Sequence, residues 1–261
     1  MTGTLSVQLY SLREDIAADR PRALARVREL GFTVVEPWQI GAGDDPVAAA
    51  EAWRRDLDAA GLTARWTHGD APLGEASERV LDAAQALGVD TLVVPTPISL
   101  GLEWDLFDDP AKVTEMAARL TEAAANGAER GIAVGYHNHW MEFPPLGDGT
   151  AYDALASQLG ADVVLQLDVY WAKAGGEDPS ALLTRLGDRV GALHLKDGPA
   201  RQGEDQTPFG TGVVDVRGAI AASPARWHVM EVDQTAGDTY ALLGGNAALL
   251  VEAGLSSWSE A

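Results

Sequence analysis

The sequence predicts a single (β/α)8 barrel domain that spans residues 1–261. Eight short apolar runs alternate with eight amphipathic helical segments along the chain. Eight such repeats in 261 residues suit a closed parallel barrel, which typically takes about 250 residues, better than an open doubly wound sheet. No linker or low-complexity stretch interrupts the alternation, so one domain is expected.

The eight predicted strands are apolar runs that turn polar at their last residues. Near-continuous apolar character is typical of parallel strands that are buried on both faces. In chain order the runs read TLSVQLY, TVVEPW, LTARWTH, DTLVVPT, IAVGYHNH, VVLQLD, VGALHL and WHVMEV.

The helical segments between these runs carry start and stop signals. The first is predicted over residues 19–30, with Asp19 as its cap, Pro21 in its first turn and Gly31 at its end. Gly61 and Gly88 mark the ends of the next two. The remaining helices are predicted at about 46–60, 74–87, 109–129, 151–158, after Pro179, 215–221 and 239–252.

Composition excludes several classes of function. With 39 acidic and 19 basic residues the formal net charge is −20, which argues against nucleic acid as a partner. The chain has no cysteine, so no disulfide, thiolate zinc site or cysteine nucleophile is expected. No basic leader and no apolar stretch long enough for a membrane span is seen, and a cytoplasmic protein with no membrane partner is expected.

Potential metal ligands follow successive predicted strands. Glu142, Asp168, His194 and Glu231 stand at or just past four apolar runs, and such groups gather at one end of a parallel barrel. Three carboxylates and one imidazole suit a divalent cation, whereas burying several carboxylates without one would be costly. No GxGxxG turn or GxxxxGK[ST] loop is present, so neither a dinucleotide nor a nucleoside triphosphate site is indicated.

Five segments resemble the xylose isomerase-like TIM barrel superfamily of sugar phosphate isomerases and epimerases. They are VQLYSLRED, GYHNHWMEF, LQLDVYWAKAGGEDP, the HLKDG run and the FGTGVVD loop, and the resemblance covers essentially the whole chain. The HNHxxEF and HLKD patterns look most like the branch with inosose dehydratases, ketose 3-epimerases and 3-keto-glycoside lyases. The resemblance implies a (β/α)8 barrel that binds one divalent cation. Manganese, cobalt and magnesium are the expected ions, and zinc is a further option.

The resemblance also implies the ligands. Asp168, His194 and Glu231 match the family's Asp, His and Glu at the sixth, seventh and eighth strands. Family members often carry a Glu at the end of the fifth strand, where this chain has His137, with Glu142 five residues later. We favour Glu142 as the ligand and His137 as a neighbour in the pocket, and the choice between them stays open at this stage.

The implied substrate is a small carbohydrate or polyol ketone, and the implied reaction passes through an enediolate. Either Glu142 and Glu231 or His137 would move the proton. We expect an isomerase or epimerase, with a dehydratase or lyase of an inosose or 3-keto-glycoside as the runner-up. A sugar-binding barrel without activity is a third hypothesis, and barrels of this family often form homodimers.

Further side chains near the strand ends are expected to contact the substrate. They are Gln8, Glu36, His68, His139, Trp171 and Lys196, with Asp197 as the partner of Lys196. Trp38, Trp66, Trp140 and Trp171 lie near strand ends and favour a carbohydrate pocket. No arginine cluster marks a phosphate site, so an unphosphorylated substrate is favoured. The histidines that a three-zinc DNA-repair barrel needs are missing, since Trp171 stands at one of their positions.

Overall fold

Eight parallel strands form a closed barrel in the computed structural model, which describes residues 2–258. The third strand consists of two segments separated by Arg65. Its first segment pairs with the second strand and its second segment with the fourth, which closes the barrel. The strands are β1 Gly3–Gln8, β2 Val34–Glu36, β3 Thr63–Ala64 with Trp66–His68, β4 Thr91–Val94, β5 Ala133–His137, β6 Val163–Asp168, β7 Val190–Leu195 and β8 Trp227–Met230.

Helices surround the barrel and connect its strands. The predicted helical segments are confirmed to within a few residues at most of their ends. The helices are α1 Arg13–Glu29, α2 Pro46–Ala60, α3 Ser77–Leu87, α4 Pro110–Ala128, α5 Ala151–Gln158, α6 Val169–Ala174, α7 Pro179–Leu186, α8 Val216–Ala221 and α9 Thr239–Glu252.

Two helices differ from the prediction. Helix α1 begins at Arg13, six residues earlier than expected, and contains Asp19 in an extended conformation. The Asp19 carboxylate accepts a hydrogen bond from the Arg22 backbone N–H at 3.1 Å, so the expected cap exists as a kink inside a longer helix. Helix α6 was not predicted. It begins directly after Asp168, whose side chain accepts from the Trp171 backbone N–H.

Capping residues position the other helices. Asp45, Asp109 and Asp178 each accept a backbone N–H of the first turn, and each is followed by a proline in that turn. Thr150 and Asp153 form a reciprocal capping box at the start of α5. Asp45, Asp109 and Thr150 lie on the connections that follow β2, β4 and β5, so these caps fix loops at the barrel mouth.

The core has two layers. The larger one lies between the strands and the helices, and the smaller one fills the barrel with Trp66, Val93, Ala192 and Val229. Gly191 makes room for the large ring, since a Cβ at that position would lie 2.8 Å from Trp66 Cη2. Trp66 therefore packs inside the barrel rather than against a ligand. Among residues 2–258, the structure contains no helix of the length and apolar character needed to cross a membrane.

Candidate active site

A cavity of about 730 Å³ opens at the carboxyl ends of the strands. His68 and His137, the last residues of β3 and β5, contribute to its lining. Lys196 and Glu231, each just past the end of its strand, also line it. The predicted clustering of polar residues at this end of the barrel is therefore observed, and it gives a concave site with convergent charged groups.

Four buried side chains from neighbouring strands meet here, and two of them, His137 and Glu231, line the cavity. One ligand atom from each of His137, Asp168, His194 and Glu231 lies within 4.8 Å of the others. They come from the ends of β5, β6, β7 and β8, and the strand register places His194 directly beside Asp168. Glu231 is 6% exposed and the other three are 2% exposed or less.

This group has the composition of a divalent cation site. Two imidazoles and two carboxylates suit first-row divalent metals. The Asp168 Oδ2 atom is buried, with the Lys196 ammonium at 2.6 Å and His137 Nε2 at 3.8 Å. The four side chains bring carboxylate oxygens and imidazole nitrogens within 4.8 Å of one another, which is a donor set that such metals take. The residues present therefore fit a cation that would be held by His137, Asp168, His194 and Glu231.

Glu142 lies apart from this group. Its Oε1 atom accepts hydrogen bonds from the Tyr136 hydroxyl at 2.6 Å and from the His139 backbone N–H at 3.0 Å. Tyr136 precedes His137 on β5, so its side chain points to the helix side of the strand. Burial raises the pKa of Glu142 to about 7. Glu142 is thus outside the group of four side chains that could hold a cation, and His137 is the member of that group from the fifth strand. Which of the two residues binds a metal stays a prediction.

Lys196 is surrounded by carboxylates. Its Nζ atom lies 2.6 Å from Asp168 Oδ2 and donates to Glu231 Oε2 at 2.6 Å and to Asp233 Oδ2 at 2.8 Å. Burial lowers the pKa of Lys196, but the three carboxylates outweigh burial and hold it well above its usual value. Lys196 is therefore an ammonium ion, a hydrogen-bond donor in the cavity rather than a base.

Asp197 does not pair with Lys196 as expected. Its carboxylate accepts backbone N–H groups of Gly198, Gly210, Gly212 and Val214 at 2.8–3.1 Å. Successive residues at a strand end point in opposite directions, so Lys196 enters the cavity while Asp197 turns toward the FGTGV loop. Asp197 holds that loop against the end of β7.

Glu36 contacts two histidines beneath the cavity. Its Oε1 atom accepts from Gln8 Nε2 at 2.7 Å and lies 2.9 Å from His194 Nε2 and 3.0 Å from His68 Nε2. Burial raises the pKa of Glu36, but His68 and His194 together have the larger effect and lower it to about 2. Glu36 and Gln8 are fully buried and outside the cavity lining, and Glu36 contacts the site through His68 and His194.

The hydrogen-bond network assigns the tautomer of His137. Gln166 lies 2.7 Å from Glu36 Oε2, and because a carboxylate only accepts, the amide nitrogen of Gln166 faces it. The amide oxygen then faces His68 Nε2 at 2.7 Å and His137 Nδ1 at 3.1 Å. His137 therefore carries its proton on Nδ1 and directs the lone pair of Nε2 toward the site.

His194 is held at both ring nitrogens. Nε2 lies beside Glu36, and Nδ1 lies 2.7 Å from Glu231 Oε2. Burial lowers the pKa of His194, but Glu231 and Glu36 raise it to about 10. Binding of a divalent cation at Nδ1 would release the proton there, because ligation requires the imidazole lone pair.

The comparison with family models agrees with this geometry. A sequence model described as "Xylose isomerase-like TIM barrel" matches residues 24–232. The chain belongs to the xylose isomerase-like TIM barrel family. No curated protein matches the sequence.

Several solved structures share the fold of this chain. A sugar phosphate isomerase/epimerase from Parabacteroides distasonis ATCC 8503 superposes with a TM-score of 0.77 at 20% identity, over 100% of this chain and 96% of that one. The probable 3-DHS dehydratase AsbF from Bacillus anthracis gives 0.71 at 13% identity, over 95% and 98% of the two chains. A structure of L-ribulose 3-epimerase gives 0.67 at 14% identity, over 98% and 95%.

Within this xylose isomerase-like barrel, four of the six expected substrate contacts line the cavity. They are His68, His139, Trp171 and Lys196. Sequence reasoning missed Gln166 and Asp233. Gln166 alternates with Asp168 on β6 and so shares its face, and Asp233 lies two residues past Glu231, so strand periodicity contained a signal for both.

Proposed function

We propose that this protein is a divalent-metal-dependent isomerase or epimerase that moves a proton next to the carbonyl of a sugar or sugar-like ketone. The observation that carries the proposal is the group of His137, Asp168, His194 and Glu231 at the floor of a cavity that also contains the Lys196 ammonium. Family membership supports it, and relatives of the same fold are described as a sugar phosphate isomerase/epimerase and a ketose 3-epimerase. Manganese and cobalt suit the ligand set best, and magnesium and zinc are tested beside them.

When bound, the cation would polarise the carbonyl of the ketone and make the neighbouring C–H more acidic. Of the two carboxylates in the ligand group, Asp168 and Glu231, it is Glu231 that also lines the cavity. Burial raises its pKa, but Lys196 and His194 hold it well below the usual value. Glu231 is thus ionised at neutral pH and is the group we assign to accept the proton.

Lys196 and His137 have complementary roles in this proposal. The Lys196 ammonium donates hydrogen bonds and stabilises negative charge on a substrate oxygen as the proton leaves carbon. Burial and the neighbouring His194 and His68 lower the pKa of His137 well below its usual range, so its imidazole is neutral and available as a ligand. His68 and His139 at the cavity wall orient substrate hydroxyl groups by hydrogen bonds.

One observation favours the dehydratase or lyase as a second candidate. The family's two-carboxylate epimerase mechanism would use Glu142 together with Glu231, but Glu142 bonds to Tyr136 on the helix side of β5. Removal of a proton by Glu231 on one face, followed by departure of a neighbouring oxygen with a proton from Lys196, does not require Glu142. The match to the probable 3-DHS dehydratase AsbF is consistent with this alternative.

Exchange of substrate hydrogen with heavy water tests the proposal. The protein is stripped of metal, reloaded with manganese, cobalt, magnesium or zinc, and incubated with a panel of keto-sugars and inososes in deuterium oxide. We expect metal-dependent deuterium incorporation next to the carbonyl of at least one compound, and none with Glu231→Gln. Failure of every metal and every ketone to give exchange would favour the binding barrel without activity over the enzyme. Loss of an oxygen from the exchanging compound would identify the dehydratase or lyase.

A further inference from the structure

Asp233 is a partner of Lys196 that lies outside the group of possible metal ligands. The Lys196 Nζ atom contacts Asp168 and Glu231 at 2.6 Å each, and both of these carboxylates belong to that group. Asp233 Oδ2 lies 2.8 Å from the same Nζ atom and is not a member. A bound cation would draw on the oxygens of Asp168 and Glu231. The contact with Asp233 is therefore one for which a cation in this group does not compete.

Gln206 holds Asp233 at two points. Its Nε2 atom donates to Asp233 Oδ2 at 2.8 Å, and its Oε1 atom accepts from the Asp233 backbone N–H at 2.7 Å. Oδ2 is also the atom that accepts from Lys196. Because a carboxylate only accepts and a backbone N–H only donates, the two bonds fit a single orientation of the Gln206 amide. The Asp233 carboxylate is thus fixed in direction, with Oδ2 aimed at Lys196.

Gln206 reaches Asp233 from a different loop. It lies on the connection from β7 to α8, whereas Asp233 lies on the connection from β8 to α9. The Gln206 backbone N–H donates to the Gln234 backbone oxygen at 2.8 Å, and the neighbouring Thr207 N–H donates to the Asp197 oxygen at 2.9 Å. Gln206 is 3% exposed. A buried side chain held at its own backbone and at its amide is a rigid support for the group it contacts.

Lys196 needs such a support because its side chain is flexible. An ammonium on a four-carbon stem is a point charge with no fixed geometry of its own. In the proposed function this charge faces a substrate oxygen, and a misplacement of about 1 Å in a reacting group can cost about 100-fold in rate. Lys196 is 1% exposed and lines the cavity. The groups around it therefore determine where its charge lies.

We propose that Asp233 and Gln206 are positioning residues that hold the Lys196 ammonium in place in the active site. Asp233 supplies the negative charge, and Gln206 acts on Lys196 through Asp233 by fixing the direction of that carboxylate. The importance of Lys196 for turnover rests on the proposed function. Its position, in contrast, is measured without any substrate.

Nuclear magnetic resonance of the lysine ammonium groups tests the position of Lys196. The lysines of the chain are Lys112, Lys173 and Lys196. The Lys112 side chain is 43% exposed and Lys173 is exposed, so their ammonium protons exchange rapidly with water, whereas Lys196 is buried. Protein labelled with ¹⁵N-lysine is recorded without metal and with zinc, which is diamagnetic. We expect a slowly exchanging ammonium signal from Lys196, assigned by its disappearance in Lys196→Met.

Two variants remove the proposed support. Gln206→Met keeps the length of the side chain and removes both of its bonds to Asp233. We expect the Lys196 ammonium protons of this variant to exchange with water about tenfold faster, the effect of weakening about one charge-assisted hydrogen bond. Asp233→Asn keeps the shape of the side chain and removes its charge, and it should have the same effect. Both changes should be present with and without zinc.

Gln234→Met is the matched control for loosening of the loops. Gln234 joins the same two loops through other partners, since its Nε2 atom donates to Gly203 O at 3.2 Å and to Asp205 Oδ1 at 3.1 Å. Exchange of the Lys196 protons should change less than about twofold in this variant. An equal acceleration in Gln234→Met and Gln206→Met would overturn the proposal. So would unchanged exchange in Gln206→Met, or a parent protein without a slow Lys196 signal.

The positioning role and the proposed function fail separately. Where a ketone of the panel incorporates deuterium, Gln206→Met should lower kcat about tenfold and change KM less than about twofold, because Lys196 acts in the transition state. If Gln206→Met loosens Lys196 but no ketone incorporates deuterium with the parent protein, the positioning stands and the proposed chemistry fails. If a ketone does so and Gln206→Met alters neither kcat nor the Lys196 signal, the chemistry stands and the positioning fails.

Discussion

Glu142→Gln separates a structural carboxylate from a metal ligand. Glu142 is fully buried, and burial raises its pKa from the ordinary 4.5 to about 7. The folded protein therefore holds the proton more tightly than the unfolded chain does. Between pH 4.5 and pH 7 the folded state binds more protons, so the free energy of unfolding falls as the pH rises through this window.

The size of the effect follows from the two pKa values. A difference of about 2.5 between 4.5 and 7 corresponds to roughly 3 kcal/mol at about 1.4 kcal/mol per unit. Glutamine resembles the protonated acid, and its carbonyl can accept from the Tyr136 hydroxyl and the His139 backbone N–H as Glu142 Oε1 does. We expect the variant to gain about 2–3 kcal/mol of stability relative to the parent on going from pH 5 to pH 8.

Urea unfolding followed by tryptophan fluorescence at pH 5 and pH 8 measures this change. Glu122→Gln, on an exposed position of α4, is the matched control and should show no such difference. Manganese affinity is measured on the same samples and should be unaltered in Glu142→Gln. A large loss of affinity with no pH-dependent gain in stability would show that Glu142 is a ligand and refute the placement of this residue behind β5.

Three further substitutions test the site. Glu231→Gln should abolish turnover while leaving the circular dichroism spectrum intact, and near-normal activity would contradict the role of Glu231 as base. Glu36→Gln should weaken manganese binding about 10- to 100-fold, measured by calorimetry, because Glu36 orients His194 directly and His137 through Gln166. Lys196→Met should lower the stability of the metal-free protein by about 3–5 kcal/mol, since it leaves buried carboxylates without their cation. Added manganese should restore part of that loss in thermal denaturation, and equal destabilisation with and without metal would argue against a shared cation site.

Much of the barrel was predictable because its signals are local. Proline at the start and glycine at the end fixed α2, and Asp109 followed by Pro110 fixed the start of α4. Asp168 is the last residue of β6 and His194 the last but one of β7, so both lie where the strand ends of a parallel barrel meet at one face, as predicted. For these residues, position along the strand determines position in the site.

Spacing in the sequence did not predict the contacts of two carboxylates near the site. Glu142 lies five residues past His137, where the loop rather than the strand sets its direction, and the loop returns its carboxylate to Tyr136. Glu36 ends β2 as predicted, but its side chain is engaged by Gln8, His68 and His194 under the cavity. Which of several buried polar groups pair with one another depends on packing between distant strands, and spacing in the sequence does not encode it.

The position of the bound metal tests the central claim most directly. Crystals of the protein soaked with manganese and measured near the manganese absorption edge give the ion's location from anomalous scattering. We expect one peak per chain, within bonding distance of His137, Asp168, His194 and Glu231. A peak ligated by Glu142, or no peak at this group of residues, would contradict the assigned metal centre and the chemistry derived from it.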